Sequence, residues 1–183
     1  MGGASILRAA LNADAAIESG YLFEPIVFPA AFMEGPQQSM MSAVARTRRA
    51  TFDSRTAVMD RYGSRPPLNM LDSASLEAYI EYGFVDTAEG GVTLACIPEH
   101  EARTFEASDK TSLEDLDGLS LPVMIARGAL EGDWSPAHAS GPVADAIGGA
   151  ELSVHDDLGH FGPLQAPGRI AREAIEWFKT GRS

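Results

Sequence analysis

Three observations predict an α/β fold built on a short parallel sheet. Apolar runs suited to buried strands alternate with amphipathic helical stretches toward both ends of the 183-residue chain. A helix-rich tract of different character separates those ends. The closing part then reads strand, helix, strand, helix, the spacing that crossover connections between parallel strands require. The length suits one packed domain with an inserted subdomain better than two independent ones.

In chain order, Ala4 to Asn12 places Ile6, Leu7, Ala10 and Leu11 on one side of a helical wheel, directly after Gly2-Gly3. Tyr21 to Phe28 (YLFEPIVF) is rich in aromatic and β-branched residues and predicts a buried strand, whose end Pro25 forces. Glu24 is thereby left at its C-terminal edge. Residues 34–116 read as a mostly helical insertion. It holds a long helix over Gln37 to Tyr62, the pair Pro66-Pro67, and a second helix over Ser73 to Tyr82 capped by Asp72 or Ser73. A brief extended segment after Gly90-Gly91 and a helix over Glu99 to Ala107 complete it. Leu121 to Ala126 (LPVMIA), ended by Arg127-Gly128, has the form of a strand buried on both faces. Ser135 to Ile147 predicts a helix with Pro136 at its first position and a break or kink at Gly141-Pro142. Glu151 to His155 alternates as a short strand, and Pro167 to Lys179 predicts a helix with Ile170, Ala174, Ile175 and Phe178 inward. The expected division is 1–33 with 117–183 as the core and 34–116 as the insertion.

Composition narrows the function classes. Fourteen Lys and Arg against 26 Asp and Glu give a formal charge of -12, which repels phosphate backbones and anionic lipid, so nucleic acid is not an expected partner. Cys96 is the single cysteine, so no intramolecular disulfide forms and a cytoplasmic setting is the default expectation. The apolar stretch from Tyr21 to Met33 is broken by Glu24, Pro25 and Pro29 and is too short for a membrane-spanning helix. Nothing at the start reads as a secretory signal. No cofactor is called for. His155, Asp156, Asp157 and His160 have the composition of a metal cluster, but alternate side chains at a strand end point apart, and no metal is expected there.

The chemistry concentrates in Asp157-Leu158-Gly159-His160-Phe161-Gly162-Pro163-Leu164, which follows a strand and precedes the final helix. A general base belongs on a loop above the C-terminal ends of parallel strands, where ligands bind. This segment is similar to the histidine loop of the α/β-hydrolase superfamily, and the resemblance extends over nearly all of the chain. The capped members of lipase, esterase or haloalkane-dehalogenase type are the ones it resembles.

The resemblance implies a partial α/β-hydrolase fold, with three parallel strands equivalent to the sixth, seventh and eighth of the family sheet. Leu76 to Phe84 and Gly90 to Glu101 look like its cap. Family members carry the nucleophile in a Gly-x-Ser-x-Gly elbow, and Met1-Gly2-Gly3-Ala4-Ser5 matches only its second half. The nucleophilic serine would precede Met1, and Ser5 falls inside a helical turn. His160 takes the role of base. Glu24, at the position of an acid after the sixth strand, is placed first as its partner, then Asp133, with Glu131 as a third choice in the loop after the seventh strand. Met1 stands where the family has an oxyanion donor, and Phe28, Phe32, Met33, Met40, Met41 and Trp134 are the expected pocket lining.

The implied activity is hydrolysis of an ester or related bond in a small hydrophobic substrate. The chain by itself is expected to show no nucleophile-dependent turnover, and its exposed strand edge is expected to favour self-association. The competing class is a non-catalytic small-molecule-binding or interaction protein on the same fold, with His160 as a relic. For the loop carboxylates taken singly, the rival reading is plain solvation.

Overall fold

A computed structural model describes residues 1–12, 16–33, 36–107, 110–130 and 135–180, with the backbone only for residues 33 and 36–39. In chain order the elements are α1 (Gly2–Ala10), β1 (Gly20–Phe23), α2 (Ala30–Met33), α3 (Pro36–Thr47), β2 (Thr51–Phe52), α4 (Arg55–Tyr62) and α5 (Ser73–Tyr82). There follow β3 (Phe84–Asp86), β4 (Val92–Leu94), α6 (Pro98–Glu106), β5 (Ser120–Gly128), α7 (Ser140–Ala146), β6 (Gly148–His155), α8 (Gly162–Gln165) and α9 (Pro167–Lys179). The chain divides into two compact units, Met1–Met33 with Lys110–Ser183, and Glu34–Asp109. The stretch from 110 to 116, read from sequence as insertion, runs in the first unit. There Leu116 is fully buried in the core and the Leu113 amide donates to the Phe28 carbonyl at 3.0 Å.

The first unit is a three-stranded parallel sheet in the order β1-β5-β6. β5 is central, which is why LPVMIA is apolar on both faces. Leu22 pairs in register with Ile125, and Ile125 with Leu152. One face carries Leu22, Val123 and Ile125 against Leu7 of α1 and Val143 of α7, all buried. Each such side chain contributes about 1.5–3 kcal/mol on leaving water.

The opposite face receives α9, in a rotation that departs from the predicted one. Ile170 and Trp177 are buried, whereas Ile175 and Phe178 are 51% and 54% exposed. The buried face carries the larger Trp177 side chain and a polar contact beside it. Glu173 lies on the same side as Ile170 and Trp177, and its Oε2 sits 2.9 Å from His155 Nε2 at the end of β6. Turning the helix to bury Ile175 would carry that carboxylate away from its partner.

β1 is also shorter than predicted, ending at Phe23, because Glu24 takes a left-handed conformation with φ 44°. The Ser135 to Ile147 stretch divides into a 3-10 turn over Pro136–Ala139 and α7. Gly141-Pro142 falls in the first turn of α7, where a missing amide hydrogen is tolerated.

The second unit holds an antiparallel sheet in the order β2-β4-β3. The predicted long helix from Gln37 to Tyr62 is two helices, interrupted where Thr51–Phe52 pair with β4. Phe52 is buried and packs edge-on against Phe84, and Ser54 caps α4 through the Ala57 amide at 3.1 Å. Local helical periodicity yields here to an aromatic side chain drawn into a core. Asp72 caps α5 through the amides of Ala74 and Ser75, and that helix spans the predicted residues. α3 and α6 are tied by Arg46, which bonds Glu99 at 2.7 Å and Glu106 at 2.8 Å, and by Arg48 with Glu101 at 2.6 Å. Among the described residues no helix is long and apolar enough to cross a membrane.

Candidate active site

At the C-terminal ends of the parallel strands, β1 delivers Glu24 and the loop after β6 delivers His160. Imidazole Nδ1 lies 2.5 Å from Glu24 Oε2, across 136 residues of sequence. The Glu24 side chain is fully buried and that of His160 is 38% exposed. A buried carboxylate is costly unless its oxygens find donors. Both do, since Oε1 accepts the Gly128 amide of β5 at 2.9 Å. The Glu24 amide in turn donates to the Ala126 carbonyl at 2.8 Å, which holds the strained residue against the central strand. An ionised carboxylate only accepts, so the hydrogen in the short contact belongs to Nδ1, and in the neutral ring Nε2 keeps its lone pair. That arrangement suits a proton acceptor with a fixed tautomer.

The loop reaches this position because two glycines permit close approach. A Cβ on Gly128 would lie 2.2 Å from the Leu158 carbonyl oxygen, and one on Gly162 would lie 2.3 Å from the tip of the Phe23 ring. The Leu130 amide bonds the Leu158 carbonyl at 2.9 Å, and Asp157 pairs with Arg169 of α9 at 3.0 Å. That arginine holds the Asp157 carboxyl below its ordinary range.

Of the other expected residues, Met1 caps α1 and is 60% exposed. The start of that helix packs beside the acid, since a Cβ on Gly3 would stand 3.0 Å from Pro25 Cβ. Ser5 Oγ donates to the Met1 carbonyl at 3.4 Å within the first helical turn. Phe28 and Phe32 pack on each other with centroids 4.6 Å apart. Met40, 59% exposed, and Met41 lie on α3 in the second unit. Glu131, Asp133 and Trp134, and the side chain of Met33, lie outside the described residues. The residues of the apparent metal cluster are drawn apart, with His155 against Glu173, Asp157 against Arg169 and His160 against Glu24.

Two contributors escaped the sequence reading. Gly128 is legible in the sequence as a strand end and as the head of the loop that leads to Glu131, with no sign that its amide meets Glu24. Gln165, whose Oε1 accepts the Gly159 amide at 2.8 Å, carried no signal at all. A surface cleft of about 580 Å³ on α4 and α5, lined by Arg55, Met59, Glu77 and Tyr82 among others, holds none of the expected site residues.

No family model matches the sequence, and no curated protein matches it. Solved structures do. The peroxisomal alpha-beta-hydrolase Lpx1 of Saccharomyces cerevisiae matches at a TM-score of 0.67 and 14% identity, over 99% of this chain and 53% of that one. The enol-lactonase of Burkholderia xenovorans LB400 matches at 0.65 and 17%, over 98% and 63%. The Mycobacterium tuberculosis esterase Rv0045c matches at 0.62 and 18%, over 95% and 59%. The chain therefore has part of the α/β-hydrolase fold, and it spans little more than half the length of the solved structures it resembles.

Proposed function

We propose that His160 and Glu24 are the base and the orienting acid of a hydrolase acting on an ester or related bond of a small hydrophobic molecule. The single observation that carries this reading is the 2.5 Å contact between Nδ1 and a wholly buried carboxylate. Structural ion pairs sit at surfaces far more often than at this depth, and a carboxylate-bound imidazole on a loop above parallel strand ends is suited to move protons. The esterase and lactonase among the matched structures cleave such bonds, which supports the substrate class.

In this reading Nε2 takes the proton from a serine hydroxyl as its oxygen bonds to the substrate carbonyl carbon. The same proton passes to the departing alkoxide as the ester C–O bond breaks. Water, deprotonated in turn by Nε2, attacks the acyl carbon; the bond from that carbon to the serine oxygen breaks, the proton on Nε2 passes to that oxygen, and the carboxylic acid leaves. Glu24 stays ionised throughout and stabilises the imidazolium. The role of Met1 as oxyanion position, of Asp133 as an alternative acid and of the second unit as cap belong to the same proposal, as does a pocket that includes Phe28, Phe32, Met33 and Trp134.

The test is hydrolysis of short p-nitrophenyl esters by the longest polypeptide that the gene encodes. His160→Ala is expected to abolish turnover, and Glu24→Gln to lower kcat by roughly 10⁴-fold, as loss of a tautomer-fixing acid does. Turnover indifferent to both substitutions sinks the proposal. Tight binding of a hydrophobic ligand with no turnover in the unaltered protein replaces it with a receptor on the same fold.

A further inference from the structure

We propose that Gln165 is a positioning residue for His160, an inference that rests on the base and acid reading above. His160 follows Gly159, and Gly159 is gripped at both of its backbone groups. Its amide donates to Gln165 Oε1 at 2.8 Å, and its carbonyl accepts the Gly162 amide at 2.9 Å. The imidazole therefore projects from a small ring of chain, closed on one side by the first turn of α8 and on the other by a single side-chain amide. Gly162 cannot move outward freely, because it is packed against Phe23.

Packing alone does not orient the ring. The His160 side chain is more than a third exposed, and the neighbouring Phe161 ring is tilted by 60° with centroids 5.3 Å apart. Of the upstream anchors, Arg169 holds Asp157, and Leu130 holds the carbonyl edge of the Leu158–Gly159 peptide, whose opposite edge is the Gly159 N–H. Gln165 clamps that second edge, so the peptide that leads into His160 is held from both sides.

The test compares the unaltered chain with Gln165→Met, which keeps the length of the side chain but lacks the acceptor, and Gln165→Glu, which keeps an acceptor oxygen. Two signals are read by NMR: hydrogen exchange of the Gly159 amide, and the low-field proton of His160 Nδ1 bound to a carboxylate. Gln165→Met is expected to speed Gly159 exchange about fivefold or more, the effect of losing one ordinary hydrogen bond, and to broaden the low-field proton into solvent exchange. Gln165→Glu is expected to restore both. Unchanged Gly159 exchange in Gln165→Met overturns the inference. Faster exchange with a sharp, unshifted His160 proton also overturns it, because Gln165 is then structural only. Failure of Gln165→Glu to rescue either signal counts against it in the same way. Glu24→Gln keeps the two readings apart. If the low-field proton survives that substitution, the base and acid reading has failed, while Gly159 exchange still judges the Gln165 contact.

Discussion

A carboxylate without solvent needs a donor for each oxygen, and Glu24 obtains them from two different elements, the Gly128 amide of β5 and the His160 ring. The backbone at Glu24 is held at φ 44°, a conformation that costs a non-glycine residue about 1 kcal/mol or more. The strain turns the side chain inward at the strand end, and the hydrogen bonds offset it. Two glycines maintain the same arrangement by different tolerances. At Gly128 an added Cβ meets a backbone carbonyl, whereas at Gly162 it meets the edge of an aromatic side chain. Gly128→Ala is therefore expected to cost about 1–3 kcal/mol and Gly162→Ala less, because Phe23 can rotate and a peptide cannot. Thermal denaturation of both variants checks the order. Equal melting temperatures would contradict the asymmetry.

Among the elements, α9 shows that one helical period admits more than one inward face. Its apolar residues allow more than one inward face, and the Glu173 and His155 contact accompanies the face that buries Ile170 and Trp177. Trp177→Ala is expected to destabilise by about 3–5 kcal/mol, and Ile175→Ser to change stability by less than about 0.5 kcal/mol. Chemical denaturation distinguishes them, and comparable losses would refute the observed rotation.

The α3 and α6 pair is expected to respond to pH. Hydrogen bonding to Arg46, then to Ser42, lowers the Glu106 carboxyl from 4.5 to about 2, and Arg46 with Arg103 lowers that of Glu99. A carboxyl with a depressed folded value stabilises the fold above its unfolded value, and that contribution is lost as the folded value is approached from above. Unit two is expected to lose helicity between pH 4.5 and about 2, earlier in Arg46→Gln and earlier in high salt, as exposed pairs are screened. Circular dichroism follows it, and an acid transition insensitive to Arg46→Gln would exclude this origin.

For the molecule as a whole, the parallel sheet has β1 at one edge and β6 at the other. β1 is apolar, and no described strand covers its outer hydrogen-bonding groups. Ile6 and Leu11 of the adjoining α1 are 39% and 41% exposed. Bare edges of this composition template pairing with other strands. The 183-residue chain is expected to self-associate at micromolar concentration, and a charged substitution on the exposed apolar surface beside that edge, Ile6→Lys, to reduce this. Sedimentation that shows a monomer across that range, with the same cooperative melt for both proteins, would exclude edge pairing.

What the sequence determined by itself is what short-range chemistry encodes. LPVMIA is apolar because a central parallel strand has no solvent face, Asp72 precedes a helix whose free amides it caps, and Gly159-His160 falls between a strand and a helix where a base can stand. The tertiary structure alone decided which residues those signals meet. Nothing local tells Glu24 that its partners stand 104 and 136 residues onward, or Gln165 that it closes a loop. Nor can the period of Pro167 to Lys179 foretell which of its faces packs on the sheet. Hydrogen-bond donors and buried charges are matched across the fold after the chain has collapsed, so their pairing is a property of the packed sheet and not of any window along it.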